Sequence, residues 1–378
     1  MILRESGFFG LRRVSVMKYF FASRKGIITT GIVIGILAPV LQYLGNPKNM
    51  GICVACFERD IAGALGLHRA AVVQYLRPEI VGIVLGAMVV ALLGREFRAR
   101  GGSSPLIRFF LGVFAMIGAL VFLGCPWRAL LRLAGGDWNA VLGLAGLAGG
   151  IYVGTLFLKR GYTLHRAHSY PSKASGFVMP ALMLGLLFLV MFEVSFGEGL
   201  PIFFSTQGPG ASRAPLFISL IAGLAFGALA QRSRFCTMGS LRDLFISRDL
   251  HLFYGVAALV LTAFAVNLVL GQFSPGFTGQ PIAHNLHVWN VLGMVLAGLA
   301  FCLAGGCPGR QLILAGEGDG DAGVFILGML VGAAFSHNFA MASSPAGVGG
   351  FGPWGVALGL LFCLTIGWVM TEKRRKTA

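Results

Sequence analysis

Gly124-Cys125-Pro126-Trp127-Arg128 returns 182 residues later as Gly306-Cys307-Pro308-Gly309-Arg310, so that both segments read G-C-P-x-R. A second pair keeps nearly the same spacing. Cys53 is followed by Arg59-Asp60 and Cys236 by Arg242-Asp243, each C-x5-R-D, 183 residues apart. Gly136-Asp137 recurs at Gly318-Asp319, and the LGLLF of Leu184–Phe188 recurs at Leu358–Phe362 with an offset of 174. Four matches in one order at nearly one spacing describe a duplicated chain.

The surroundings of these motifs set the solvent. Of the 378 residues 56% are hydrophobic and 12% charged, and the mean hydropathy is +0.80. A soluble surface needs more charge than that, whereas a bilayer needs apolar runs of about 20 residues. Ten such runs are predicted: Gly26–Leu44, Tyr75–Gly94, Leu106–Phe122, Trp138–Leu158, Gly176–Glu193, Pro215–Ala230, Leu252–Gly271, Val288–Ala304, Gly323–Met341 and Phe351–Met370. The 56 glycines suit helices whose backbones pack closely in lipid.

The net charge of +16 would suggest nucleic acid in a soluble protein. Here the basic residues gather between the apolar runs, as cytoplasmic loops do, so nucleic-acid binding is not expected. Arg12, Arg13, Lys18, Arg24 and Lys25 precede the first span, and Lys373, Arg374, Arg375 and Lys376 close the chain. Arg95, Arg98, Arg100 and Arg108 follow the second span, Lys159, Arg160, Arg166 and Lys173 the fourth, and Arg232, Arg234, Arg242 and Arg248 the sixth. The clusters fall on alternate sides, so both termini are expected in the cytoplasm of a bacterium, with the chain in its inner membrane. Gly26–Gly45 reads as a retained helix rather than a signal peptide.

Five spans per unit invert the second unit relative to the first, an architecture of secondary transporters. The expected organisation is a basic N-terminus at 1–25, a first repeat at 26–196, a periplasmic linker at 197–214, a second repeat at 215–372 and a basic tail at 373–378. Four segments are too short to cross yet partly apolar: Asn49–Leu67, Gly124–Gly136, Phe235–Ser247 and Gly306–Gly318. Re-entrant half-helices fit them, because irregular backbone at membrane depth must line a cavity or be buried in protein. The fold expected is an all-α membrane protein with an hourglass-like pathway. Cys53 and Cys125 enter it from outside, Cys236 and Cys307 from the cytoplasm.

The motifs carry chemistry suited to anions. Pro126 and Pro308 fit the first position of a helix, which puts Cys125 and Cys307 at the N-cap. Free N–H groups and the positive helix end then face each sulfur. Arg128 and Arg310 add a cation three residues on. An anion with a soft sulfur or selenium atom would find donors for its oxygens and a polarizable thiol for its soft end. In C-x5-R-D, Asp60 and Asp243 return to the face of the cysteine, and their expected work is to neutralise and position Arg59 and Arg242. Cys53 and Cys236 are expected to line the path, and Cys56 to be either a further path thiol or a partner for Cys53. Cys302 and Cys363 read as small apolar fillers, and His68, His284, His287 and His337 as interface residues. Among the seven cysteines no zinc spacing stands out, and no metal or cofactor is expected.

Gln231–Phe245, QRSRFCTMGSLRDLF, resembles a signature of the YeeE/YedE sulfur-transport membrane proteins, and Ala304–Asp319, AGGCPGRQLILAGEGD, resembles their second signature. In the thiosulfate-importing members, the resemblance implies that Cys125, Cys236 and Cys307 hand the substrate along. The prolines after both motif cysteines and the added Cys53-Val54-Ala55-Cys56 look more like the selenium-associated YedE branch. That implies a selenium compound as first cargo and a thiosulfate-like anion as second. The resemblance also implies a small cytoplasmic sulfurtransferase-like partner of the TusA/YedF type. A rival class is a membrane thiol–disulfide redox enzyme, since Cys53–Arg59, CVACFER, resembles a stretch of the quinone-linked disulfide oxidases. It explains one motif of four, because Gly239 stands where a second Cys56 would be.

An inside-negative potential opposes entry of an anion by about 2.3 kcal/mol per charge per 100 mV. No proton-binding carboxylate is expected deep in the membrane: Glu79 and Glu193 fall near span ends, and Asp60, Asp137, Asp243 and Asp319 in the short segments. Uptake is therefore expected to be drawn by consumption of the cargo in the cytoplasm.

Overall fold

The computed structural model describes residues 20–192 and 202–371. Arg12, Arg13, Lys18, Glu193, the first part of the linker and the Lys373–Lys376 cluster lie outside the described residues. Repeat one supplies α1 (Arg24–Tyr43), α2 (Val54–Ala64), α3 (Pro78–Leu93), α4 (Pro105–Phe122), α5 (Pro126–Ala134), α6 (Asn139–Lys159) and α7 (Val178–Met191). Repeat two supplies α8 (Leu216–Ser233), α9 (Thr237–Ser247), α10 (His251–Val269), α11 (His287–Ala304), α12 (Pro308–Gly316), α13 (Gly320–Asn338) and α14 (Gly352–Val369). The four short segments are the short helices α2, α5, α9 and α12.

Nine stretches among the described residues are long and apolar enough to cross a membrane. The tenth expected span is shorter than Tyr75–Gly94. Pro78 opens α3 at its first turn, which leaves an apolar helix of 16 residues. This is an all-α membrane protein, and its surface is turned inside out. Val269 is 85% exposed and Leu93 72%, whereas Arg77, Arg128 and Arg132 are among its largest fully buried side chains. Lipid solvates the first kind of residue; the second must find partners inside.

Helices of one repeat pack mainly on the other, and the most extensive of these packings come in pairs related by exchange of the repeats. α6 lies on α11 and α13 on α4; α3 lies on α8 and α10 on α1; α13 lies on α2 and α6 on α9. Glycine permits the closest of these. A Cβ on Gly31 would overlap the Gly255 carbonyl, and one on Gly112 or Gly150 the carbonyl of Phe325 or Val295. α4 and its counterpart α11 touch each other, and they run antiparallel. Arg108, at the start of α4, donates to the Ala304 carbonyl at the end of α11 (3.0 Å), while the Val121 carbonyl at the end of α4 is bonded by His284, just before α11 (2.8 Å). Equivalent helices that run in opposite directions across one contact make the two halves inverted.

Candidate functional site

The four cysteines of the duplicated motifs each stand at the N-cap of a short helix: Cys53 on α2, Cys125 on α5, Cys236 on α9 and Cys307 on α12. All four have extended backbone there, and Pro126 and Pro308 open α5 and α12. Cys53 Sγ accepts the Cys56 N–H (3.4 Å), as Cys236 Sγ accepts the Gly239 N–H (3.2 Å). In G-C-P-x-R the proline announces the N-cap; no proline follows Cys53 or Cys236, so their N-caps carry no such signal in the sequence.

Each half brings two of these helix ends together. Cys53 Sγ lies 3.7 Å from Cys125 Sγ, and Cys236 Sγ lies 3.7 Å from Cys307 Sγ. All four thiols are free and buried. Each pair joins one cysteine of C-x5-R-D to one of G-C-P-x-R. Cys56, in the first turn of α2, gives its N–H to Cys53 Sγ, so the first half has a third cysteine next to its pair where the second half has Gly239. Cys302 and Cys363 are also buried, and Cys302 packs on Gly154.

Between the clusters stands a side chain that the sequence reading passed over. Trp127, the variable residue of one G-C-P-x-R, lies flat against Gly309, the variable residue of the other. A Cβ at position 309 would overlap its six-membered ring. The indole is 3% exposed and packs on Phe226 with ring centroids 4.3 Å apart. Its Nε1–H has no partner. The signal was present in the sequence as the one unequal residue of a repeated pentapeptide.

The two motif arginines are held differently. Arg128 is completely buried and donates to the carbonyls of Asn49, Leu123, Pro281 and Ile282. No carboxylate among the described residues pairs with it. Arg310 instead meets Glu317 at 3.4 Å, and Glu317 also holds Arg234 at 2.8 Å. The position of Glu317 corresponds to Gly135 in the first repeat. One half therefore keeps a cation without a counter-ion, and the other neutralises it.

The Arg-Asp pairs of C-x5-R-D form in both halves, at 2.7 Å for Arg59–Asp60 and 2.8 Å for Arg242–Asp243. Their surroundings differ. Asp60 is fully buried and its second oxygen binds Arg77, whose guanidinium stacks over Phe57. Arg242 and Asp243 remain about one-third exposed. Arg132–Asp137, at 2.6 Å and fully buried, is another ion pair the motifs did not announce.

Two expectations are corrected. His68 and His284 are not interface residues; they are 1% and 2% exposed and bond the Arg59 and Val121 carbonyls. A buried carboxyl does exist on the short helix that Cys53 caps. Glu58 on α2 is 1% exposed, and neither of its oxygens has a hydrogen-bond partner. The sequence reading treated this residue only as part of the CVACFER stretch.

A multi-span helical membrane protein with paired buried thiols at converging helix ends is the class that fold and site define. Residues 4–153 and 232–376 match the family model described as Sulphur transport, and the chain belongs to that family. It is also similar to the thiosulfate transporter TsuA of Escherichia coli (strain K12), 32% identical over 99 residues, which are 26% of this chain and 28% of that one. The thiosulfate transporter TsuA of Spirochaeta thermophila is 32% identical over 103 residues, 27% of this chain and 31% of the relative. The aligned stretches thus span less than a third of either relative.

Proposed function

We infer that this protein imports a small inorganic sulfur or selenium anion across a bacterial inner membrane along its two thiol pairs. The observation that carries the reading is the symmetric placement of Cys53 with Cys125 and of Cys236 with Cys307, each pair between two helix N-termini. Helix ends and backbone N–H groups favour anions without adding a fixed side-chain charge. Neutral thiols donate weak hydrogen bonds to a terminal sulfur or selenium. A thiolate would repel the cargo, so the relay uses Cys125 and Cys307 in their S–H form. The substrate named for the relatives puts thiosulfate first and a selenium compound second.

The arginines give the path a direction. Arg128, with no carboxylate partner, attracts an anion into the outer half. Arg310, offset by Glu317, holds it less strongly in the inner half and lets it go. A cytoplasmic sulfurtransferase-like protein of the TusA/YedF type would take the cargo there. The halves that alternate in access are 26–196 and 215–372, with both termini inside and 197–214 outside.

Uptake of isotopic thiosulfate and selenite into liposomes holding the purified protein tests this reading. Saturable entry of either, lost in Cys125→Ala, is expected. Electron transfer from a reduced thiol protein to quinone, without entry of either anion, would replace it with the redox reading.

A further inference from the structure

Glu58 is the carboxyl group that the relay leaves unexplained. Among the described residues it alone combines near-complete burial with two unpartnered oxygens. The other buried acids are bound. Asp60 holds Arg59 and Arg77, Asp137 holds Arg132, Glu79 accepts from Asn46, Glu317 holds Arg234, and Asp321 accepts the N–H groups of Gly102 and Ser103. Glu58 instead faces a cavity of about 180 Å³ whose other walls are apolar, among them Ile61 of α2, Ile80 of α3, Met183 of α7 and Ile326 of α13.

An ionised carboxylate there has no cation and no donor, and desolvating such a charge costs several kcal/mol. The structure is therefore that of a neutral Glu58. The charged and titratable groups around it do not change this. On its own helix, Arg59 and Asp60 pair with each other, and Cys53 and Cys56 belong to the thiol cluster. On α5, Arg128 donates to carbonyls and makes no ion pair with Glu58, and Cys125 meets Cys53 at the N-terminus of the helix that carries Glu58. On α3, Glu79 is bonded to Asn46. On α13, Asp321 is bonded to backbone and His337 stacks on His68, which itself bonds Arg59 O. Within α7, the third wall, Val178–Met191 holds no ionisable residue. The thiol pair is the one ionisable neighbour that substrate would reach.

We propose that Glu58 is a proton-binding site coupled to the occupancy of the Cys53–Cys125 pair, so that a proton enters with each anion. An anion held at Cys125 keeps the proton on Glu58. Once the anion has moved to the inner pair and the first pair is closed to the outside and open to cytoplasmic water, the proton leaves to that water. One negative charge of the cargo is thereby cancelled, so the membrane potential no longer opposes the entry of that charge. The second repeat has Leu241 at the corresponding place, so the coupling exists in one half only and gives the cycle a sense.

The inference rests on the anion-import reading above, and its test separates the two. Glu58→Gln keeps the shape and fixes the neutral form. Infrared difference spectra of the purified protein across pH should contain a protonated-carboxyl band at neutral pH that is absent from the variant. An identical spectrum in both proteins overturns the site whether or not thiosulfate is transported. In liposomes, an acid exterior should raise accumulation of labelled thiosulfate at least threefold, with alkalinisation outside. Glu58→Gln should retain thiosulfate exchange within twofold and lose both effects. Gradient-driven accumulation that persists in the variant, or wild-type uptake that moves no protons, overturns the coupling. Absence of thiosulfate and selenite exchange in the wild type counts against the import reading, and the infrared band still decides the proton site.

Discussion

The Trp127 indole rests on the bare Cα of Gly309, so the two G-C-P-x-R motifs are complementary where they differ. The atoms that a Cβ at 309 would meet belong to the six-membered ring of the indole. Gly309→Ala should therefore destabilise by about 1–3 kcal/mol through overpacking, although alanine is the better helix former. Trp127→Phe withdraws those ring atoms. The double variant should recover most of the loss, and thermal unfolding in detergent of the four proteins of this cycle measures the coupling. Additive effects would mean that the ring moves aside freely and that the pair is no constriction.

Asp60 and Asp243 occupy matching places in the repeats but differ in what they hold. Asp60→Asn leaves Arg59 and Arg77 buried without their counter-ion, a loss of about 3–5 kcal/mol. Asp243→Asn breaks one ion pair that solvent already screens, and about 0–1 kcal/mol is expected. Midpoints of thermal unfolding for the two variants should differ clearly in that order. Equal shifts would show that burial of the Asp60 network contributes nothing.

The duplicated motifs made much of this legible. Nine of the ten expected spans, the four short helices and the inversion follow from C-x5-R-D and G-C-P-x-R with the count of apolar runs between them, because a membrane-spanning helix advertises itself by length and apolarity. The contact of Cys53 with Cys125 was not legible, since the two belong to different motifs; the repeat implies only that whatever one half does the other does too. What stayed hidden depends on contacts between residues distant in sequence. Trp127 reads as an ordinary aromatic until Gly309 is beside it. His68 and His284 read as interface residues, because the carbonyls they cap belong to other segments. Glu58 was overlooked for a related reason: a sequence records a carboxylate but not that its partners are missing.

The thiol pairs make a prediction about proximity. In a protein retaining Cys53 and Cys125 as its only cysteines, a mild oxidant should link them, and Cys236 with Cys307 should behave alike, since each pair of sulfurs lies 3.7 Å apart. Mass spectrometry of the digested protein reads the links. Failure of both motif pairs to link would remove the geometric basis of the relay.

Transport should follow the same division. Cys125→Ala or Cys307→Ala removes a thiol donor, and the loss of one hydrogen bond to a charged cargo lowers uptake roughly tenfold or more. Cys302→Ala and Cys363→Ala should leave uptake near the parent value, because alanine fills most of a small apolar site. Initial rates of thiosulfate entry at matched protein levels give the comparison. Equal loss in all four variants would point to a packing role for every cysteine and remove the thiol path.

The orientation of the path is decided at Ser274. The stretch Gln272–His287 contains no Lys or Arg, as expected of an outer loop. Its backbone is fixed to the end of α5: the Ser274 N–H donates to the Gly135 carbonyl at 2.9 Å, while the residue itself is exposed. A cysteine placed there should react without disturbing the thiol clusters, in a background whose other reactive thiols have been removed. The loop continues to Pro281 and Ile282, whose carbonyls receive Arg128, so its side of the membrane is also the side from which Arg128 draws its anion. An impermeant maleimide applied to intact cells stripped of their outer membrane should label position 274. Labelling that appears only after the inner membrane is opened would place Arg128 and the Cys53–Cys125 pair on the cytoplasmic side, and the protein would then export the anion rather than import it.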